Sequence, residues 1–391
     1  MKIKLGIIGT GQRGVSYYRT IVNDDLLREL FSVKWIADIN KERLKHFSEL
    51  FNFKGELLLD FEEGMSKVDA VIAATPDYTH VEVFKKIMDH DKHFIAEKPL
   101  ATTIEDAKKV RDWAKDYDKV VLVAFPLRYT PFYRKVKEIV DLGLLGELVF
   151  IRACEVLSYV HGANFARRWH RKRELSGGFL VTKNCHDFDM LHWVTKSLAA
   201  FVSAFGGRKF FGVRKDYPRY CHECDRYDCI YRYSICPIWY FLSEDEQKHP
   251  EKYGYDRCVF SADMDIVDHA VVNIRHRNGV VSQFAVGTTG PREVRRIHIL
   301  GTEGELIGAF EDGIIEVRRT GTHDVMRINV EAASRGHYGG DQGLLLNFAL
   351  SIMGKDRPRS TVEDGYWAVV VACKAEESIA RGGALLNISE Q

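Results

Sequence analysis

Three groups of residues in this 391-residue chain combine types and spacing that chemistry requires. The first is Gly9-Thr10-Gly11-Gln12-Arg13-Gly14, which follows the apolar run Ile3 to Ile8 and precedes a helix-like segment. In a G-x-G-x-x-G turn the first glycine permits the tight bend, the second lets backbone approach a pyrophosphate, and the third lets helix pack on strand. The phosphates then rest on free N–H groups at the helix start. The second group is Glu97-Lys98-Pro99. Pro99 disfavours helix at Lys98 and holds it extended at a strand end, where open α/β sheets bind ligands. From there an amine can exchange a proton with a substrate hydroxyl while a nicotinamide takes the hydride. The plainer alternative is a solvated Glu97-Lys98 pair. The third group is Lys183 with His186, which heads a helix expected to run to about Val194. If the preceding turn is helical, Lys183, His186 and Met190 share one face and two proton-handling groups meet.

These residues need elements to hold them. Ser32 to Asp38 reads as a second strand, ending in a carboxylate 24 residues beyond Gly14, where an acid binds ribose hydroxyls. Asp38 repels a ribose phosphate and so favours NAD, while nearby Lys41 and Arg43 keep NADP open. The strand Val68 to Pro76, the helix Val81 to Asp89, the strand His93 to Pro99, the helix Ile104 to Tyr117 and the strand Val120 to Phe125 continue the alternation. This is the grammar of a doubly wound parallel sheet over residues 1–125.

Beyond Asp263 the pattern changes. Ile266 to His276 and Val280 to Val286 flank Asn278-Gly279, a pair suited to a type I′ hairpin. Strands near Val294 to Leu300, Ile314 to Arg318 and Val325 to Val330 follow, with helices near Asp341 to Met353 and Val362 to Arg381 closing the domain. The expected fold class is therefore α/β: an N-terminal dinucleotide-binding domain, and an α+β domain over residues 126–391 with a large open, mainly antiparallel sheet. A Cys- and Tyr-rich insertion occupies about 215–260.

Lys plus Arg (56) balance Asp plus Glu (55), which speaks against a nucleic-acid or membrane-surface protein. The 46% hydrophobic content supports two cores, and no apolar stretch of about 18 residues suggests a bilayer span. The chain enters a core strand directly, so the expected location is cytoplasmic.

With Ala74-Thr75-Pro76, and with Gly177-Gly178 followed by His186-Asp187-Phe188-Asp189, the chain resembles the glucose-fructose oxidoreductase / inositol dehydrogenase / MocA family over essentially its whole length. The resemblance implies a Rossmann NAD(P)-binding domain and a hydride exchanged with a sugar, inositol or related polyol. It implies cofactor contacts from Gly9, Thr10, Gly11, Gln12, Arg13, Gly14, Asp38, Thr75, Pro76, His80, Glu97, Lys98 and Arg128. It further implies catalysis by Lys98 and His186, and a homodimer or homotetramer built on the second domain's sheet. The stretches Arg128-Tyr129 and His337 to Asp341 resemble family positions as well. One departure stands out: the family frequently carries aspartate four residues before the histidine, where this chain has Thr182 followed by Lys183. Either Lys183 takes part of the proton transfer, or the reaction differs. A redox-neutral glycoside hydrolase or lyase with retained NAD, and a non-catalytic dinucleotide-binding sensor, stay open beside the dehydrogenase.

The basic run Arg167 to Arg173 would ordinarily be a solvated face, yet it adjoins the Gly177-Gly178 motif. Asn164, Arg168, Trp169 and His170 are thus candidate substrate contacts, with Trp169 stacking on a pyranose and the bases accepting an anionic group. Finally, Cys221, Cys224, Cys229 and Cys236 form C-x2-C-x4-C-x6-C. Four thiolates suit structural zinc, with His222 or His249 as substitutes, while free thiols, disulfides or an iron–sulfur cluster are the alternatives.

Overall fold

A computed structural model describes residues 2–233, 242, 244–331 and 337–388. Two compact units emerge: residues 1–130, 241–248 and 334–369 in one, and residues 131–240, 249–333 and 370–391 in the other.

The first unit holds strands β1 (Ile3–Ile8), β2 (Phe31–Ala37), β3 (Glu56–Leu58), β4 (Ala70–Ala73), β5 (His93–Ala96) and β6 (Val121–Val123). They lie in the order β3-β2-β1-β4-β5-β6, every pairing parallel. The order reverses between β1 and β4, which opens a crevice at the carboxyl ends of the strands. The central strands β1 and β4 are mostly apolar because both faces of a parallel sheet are covered. Leu5, Ile7, Ile36, Ile72 and Ile95 are fully buried. The helix Gly340–Ile352, expected in the second domain, belongs here instead. Its Leu344, Leu345 and Phe348 complete the core around β1, and burying them there removes their apolar surface from water.

The second unit contains β7 (Leu148–Ser158), β8 (Ala199–Gly207), β9 (His269–His276), β10 (Val281–Gly290), β11 (Val294–Gly301), β12 (Gly304–Ala309), β13 (Ile314–Arg319), β14 (Val325–Asn329) and β15 (Leu386–Asn387). Among the described residues these form one sheet, β14-β13-β12-β11-β7-β10-β9-β8-β15. Only β7 and β10 run parallel. Alternation sets the two faces: Ile151, Ala153, Glu155 and Leu157 of β7 point inward, as do Arg295, Ile297 and Ile299 of β11. An acid and an arginine thus share the buried face with aliphatic side chains.

The β9–β10 connection corrects one expectation. Gly279 has φ +92, but Asn278 is not left-handed, so the turn is not type I′. The His276 carbonyl accepts from Gly279 N–H at 3.0 Å and His276 N–H donates to the Val280 carbonyl at 2.8 Å. That is a three-residue loop closed by a left-handed glycine. Asn278 is drawn out of the tight turn because its side chain serves elsewhere, donating to the Thr195 carbonyl and accepting from Val280 N–H.

Candidate functional site

In the first unit the glycine loop behaves as its spacing demands. Gly9 has φ +95, and a Cβ there would lie 2.4 Å from the Ala74 carbonyl oxygen. At Gly14 a Cβ would strike the Gly9 carbonyl oxygen at 1.8 Å. At Gly11, by contrast, a Cβ would meet nothing within 4 Å. The loop backbone there faces open space, and Gly11 caps the helix Gln12–Asn23 without a side-chain hydrogen bond. The first-turn N–H groups are left for an anion. This cradle fits a dinucleotide pyrophosphate.

Asp38 stands beside it: one carboxylate oxygen accepts from Thr10 N–H (2.8 Å) and Thr10 Oγ1 (2.7 Å), the other from Asn40 N–H (2.9 Å). The second of these oxygens, which accepts a single bond, keeps a lone pair for a ribose hydroxyl. Thr75 and Pro76 follow β4, and buried His80 spans the Thr75 carbonyl (Nε2, 3.0 Å) and the Pro99 carbonyl (Nδ1, 2.7 Å). His80 therefore ties the β4 end to the loop carrying Lys98, a holding role rather than a ligand contact. Lys98 is half-buried directly after β5, and its peptide bond to Pro99 is cis.

Three residues expected at the cofactor have side chains engaged within the protein. Arg13 Nε donates to Glu97 at 2.6 Å, and its two terminal nitrogens reach the Asp341 carboxylate at 3.1 and 3.0 Å. Tyr17 also donates to Glu97, at 2.6 Å, beneath the Arg13 guanidinium. Burial alone would raise the Glu97 pKa, but Arg13 and the Tyr17 hydroxyl bring it below the ordinary carboxylate value. Arg13 and Glu97 are thus spent on each other and on Asp341; the side chain of His337, at the other end of that stretch, lies outside the described residues. Arg128 is buried and donates to the Arg359 carbonyl and to Asp364 at 2.9 Å, which pins the segment before the helix Val362–Ala380.

In the second unit Lys183 follows the short helix Phe179–Thr182, and His186 lies in the first turn of the helix Cys185–Thr195. A break at Lys183 and Asn184 separates the helices, yet both side chains join one buried cluster. Lys183 Nζ is 2.8 Å from Glu155 Oε1. Arg295 clamps both carboxylates, Glu155 and Asp187, and approaches His186 Nε2 at 2.9 Å. Asp187 Oδ2 is 3.2 Å from the same nitrogen. Asn184 Nδ2 donates to Glu155 (3.1 Å) and Asp187 (2.9 Å). Two cations match two anions, so the imidazole can remain uncharged. Burial is the main cause that lowers the His186 pKa to about 4, with the Lys183 and Arg295 charges adding to it against the pull of Asp187. His186 Nδ1 and Asn184 Oδ1 are buried with no hydrogen-bond partner among the described residues. Such orphaned atoms are unusual in protein interiors, where a water, an ion or a ligand ordinarily meets them.

Glu155, Asn184, Asp187 and Arg295 are members of the cluster that the sequence reading does not single out. A signal is present for two of them: Glu155 and Arg295 each interrupt the apolar half of an alternating strand. Glu155, His186 and Asp187 form the one group among the described residues whose atoms are close enough to share an ion. Lys183 and Arg295 already balance its charge, so the cluster does not suit a divalent cation.

The basic run divides. Arg171 and Lys172 pair with Asp263 at 2.8 and 3.1 Å, Arg173 pairs with Glu376 at 2.6 Å, and Arg167 is buried against the Arg257 carbonyl. Asn164 and Arg168 are half-buried, and Arg168 lies over Tyr255. His170 stacks on Trp169 with centroids 3.7 Å apart, which covers one face of the indole. Among the described residues Cys221, Cys224 and Cys229 do not come within shared-ligand distance, and burial pushes Cys221 up to about 11, toward the protonated thiol. His222 is taken by Asp256, and Cys236 lies outside the described residues.

The parallel sheet, its strand order and the glycine cradle define an NAD-binding oxidoreductase. Residues 3–125 match the oxidoreductase family with NAD-binding Rossmann fold, and residues 133–307 match the GFO/IDH/MocA C-terminal domain. The chain belongs to the GFO/IDH/MocA oxidoreductase family. It is 29% identical to YteT of Bacillus subtilis (strain 168) over 357 residues, 82% of each chain. It is 28% identical over 197 residues to the inositol 2-dehydrogenase/D-chiro-inositol 3-dehydrogenase of Lacticaseibacillus casei, covering 50% of this chain and 53% of that one. The same fold occurs in levoglucosan dehydrogenase in complex with NADH and levoglucosan, with a TM-score of 0.79, 20% identity and full coverage of both chains. No helix among the described residues is long and apolar enough to cross a membrane.

Proposed function

We propose that this protein is an NAD-dependent dehydrogenase that interconverts a hydroxyl and a carbonyl on a sugar, inositol or related polyol. The observation that carries this reading is an open pyrophosphate cradle at Gly11 in the first unit, supported in the second unit by a buried histidine whose Nδ1 has no partner among the described residues. Relatives named as inositol and levoglucosan dehydrogenases support the substrate class.

Oxidising CH–OH to C=O releases a hydride and a proton. The nicotinamide, when bound, accepts the hydride. The proton falls to this chain's own groups, with Lys98 and His186 as the acid/base pair. Lys183 follows Thr182, which stands where the family frequently carries aspartate, but Lys183 is paired with Glu155, and its charge instead helps keep His186 uncharged. Asn164, Arg168 and the exposed part of Trp169 supply sugar contacts from the second unit.

Alanine at Lys98 or at His186 is expected to lower turnover about 100-fold or more, the ordinary worth of a positioned acid or base. Unchanged turnover in either variant removes that residue from the mechanism. The outer face of the second unit's sheet exposes Phe205, Val271, Val281 and Ile307, the first two lining a recess of about 510 Å³, and we assign this face to contact with a second copy. Sedimentation is expected to give a dimer or tetramer, and a monomer at micromolar concentration would refute this.

A further inference from the structure

The adenosine ribose site has a second layer of residues behind Asp38, and their meaning rests on the dinucleotide reading above. Asn40 caps the helix Lys41–Phe51 by accepting from Glu42 N–H and Arg43 N–H, so Arg43 leaves from the first turn directly after Asp38. In dinucleotide folds that accept a 2′-phosphate, an arginine near this acid receives it. Here Arg43 is committed elsewhere. Its Nε and Nη2 donate to Glu246 Oε1 at 2.9 and 2.6 Å, and Glu246 is only 4% exposed. Glu246 comes from the short helix Glu244–Lys248, 203 residues away in sequence, which belongs to the same unit. That helix also carries Glu244 and Asp245, and the Glu244 carboxylate, held by Lys248, is within the field of Lys45.

We infer that residues 244–248 form a specificity strap, in which Glu246 withholds Arg43 and so makes the unit select NAD over NADP. A 2′-phosphate dianion would have to take Arg43 from the buried Glu246 carboxylate and lie beside Asp38. Both disfavour it: breaking a buried charge-assisted contact is costly, and like charges repel. NAD presents hydroxyls to the same place and disturbs none of these contacts.

Calorimetric titration of the full chain with NAD and NADP tests the strap without reference to turnover. Wild type is expected to bind NADP at least about 100-fold more weakly than NAD. Glu246→Gln is expected to tighten NADP about tenfold or more by releasing Arg43, with NAD affinity held within about twofold, which also shows that the variant is folded. Arg43→Gln is expected to leave NADP affinity unchanged, because the guanidinium was never available. An unchanged NADP affinity in a Glu246→Gln protein that still binds NAD overturns the strap and leaves the dehydrogenase reading standing. So does weaker NADP binding by Arg43→Gln, an arm that decides the matter even if Glu246→Gln does not fold. Failure of wild type to bind either dinucleotide would remove both.

Discussion

His186 shows how a single side chain acquires its properties from what surrounds it. An exposed imidazole protonates near pH 6.5, whereas in the fold burial holds the value at about 4. Between those limits the unfolded chain binds a proton that the native chain refuses, so stability falls as pH drops from 6.5 toward 4 and levels off below. The difference corresponds to about 3 kcal/mol. Replacing His186 with Gln should flatten this part of the stability–pH curve, measured by denaturant unfolding; an unchanged slope would contradict the neutral-histidine account. Lys183 is the companion test. Its charge depresses the His186 value, so Lys183→Met should move the acid limb of kcat/KM to higher pH. A limb that stays in place would mean that Lys183 acts directly on substrate or not at all.

The glycine loop is an element whose three glycines serve different ends, and the structure separates them. A Cβ at Gly14 collides with backbone, so Gly14→Ala should destabilise the protein by about 3 kcal/mol or prevent folding. A side chain at Gly11 meets only open space, so Gly11→Val should melt with wild type while losing dinucleotide affinity by about tenfold or more. Thermal melting with and without NAD distinguishes the two, and a Gly11→Val protein that gained as much stability from NAD as wild type would exclude the cradle as the binding site. Elements with strong periodicity are the ones legible in the sequence. The strands β1, β2, β4, β5 and β6 of the first unit, the β9–β10 pair, and the helix heading at His186 follow from apolar spacing and breakers, whereas the three-residue β3 is too short to carry a pattern. β12 is not legible because Gly304 and Gly308 dilute its pattern; at Gly308 a Cβ would press on Phe132 and Ile297 at 2.8 Å, so packing rather than propensity chose the residue. The Ala-, Ser- and Gly-rich β8 is hidden for a similar reason. Arg13, Glu97 and Arg128 lie in motifs that point to a ligand, but their partners Asp341 and Asp364 are 328 and 236 residues from Arg13 and Arg128, beyond what local spacing can reveal.

At the scale of the molecule, the first unit is assembled from distant pieces of chain. Its core needs Leu344, Leu345 and Phe348, and Asp341 anchors that helix to Arg13. Removing one partner from such a buried pair ordinarily costs about 3–5 kcal/mol, so Asp341→Asn is expected to lower unfolding free energy by about 3 kcal/mol despite its distance in sequence from the glycine loop. A loss within the ordinary range of surface substitutions, about 0.5 kcal/mol, would show that the anchor is not structural. The proposed reaction moves a hydride between NAD and a polyol. Its most direct test is the absorbance of reduced nicotinamide while the purified protein turns over NAD with a panel of inositols, pyranoses and uronic acids. Steady production of NADH on one class, abolished in Lys98→Ala, is the predicted result; tight NAD binding with no net reduction on any of them would contradict it.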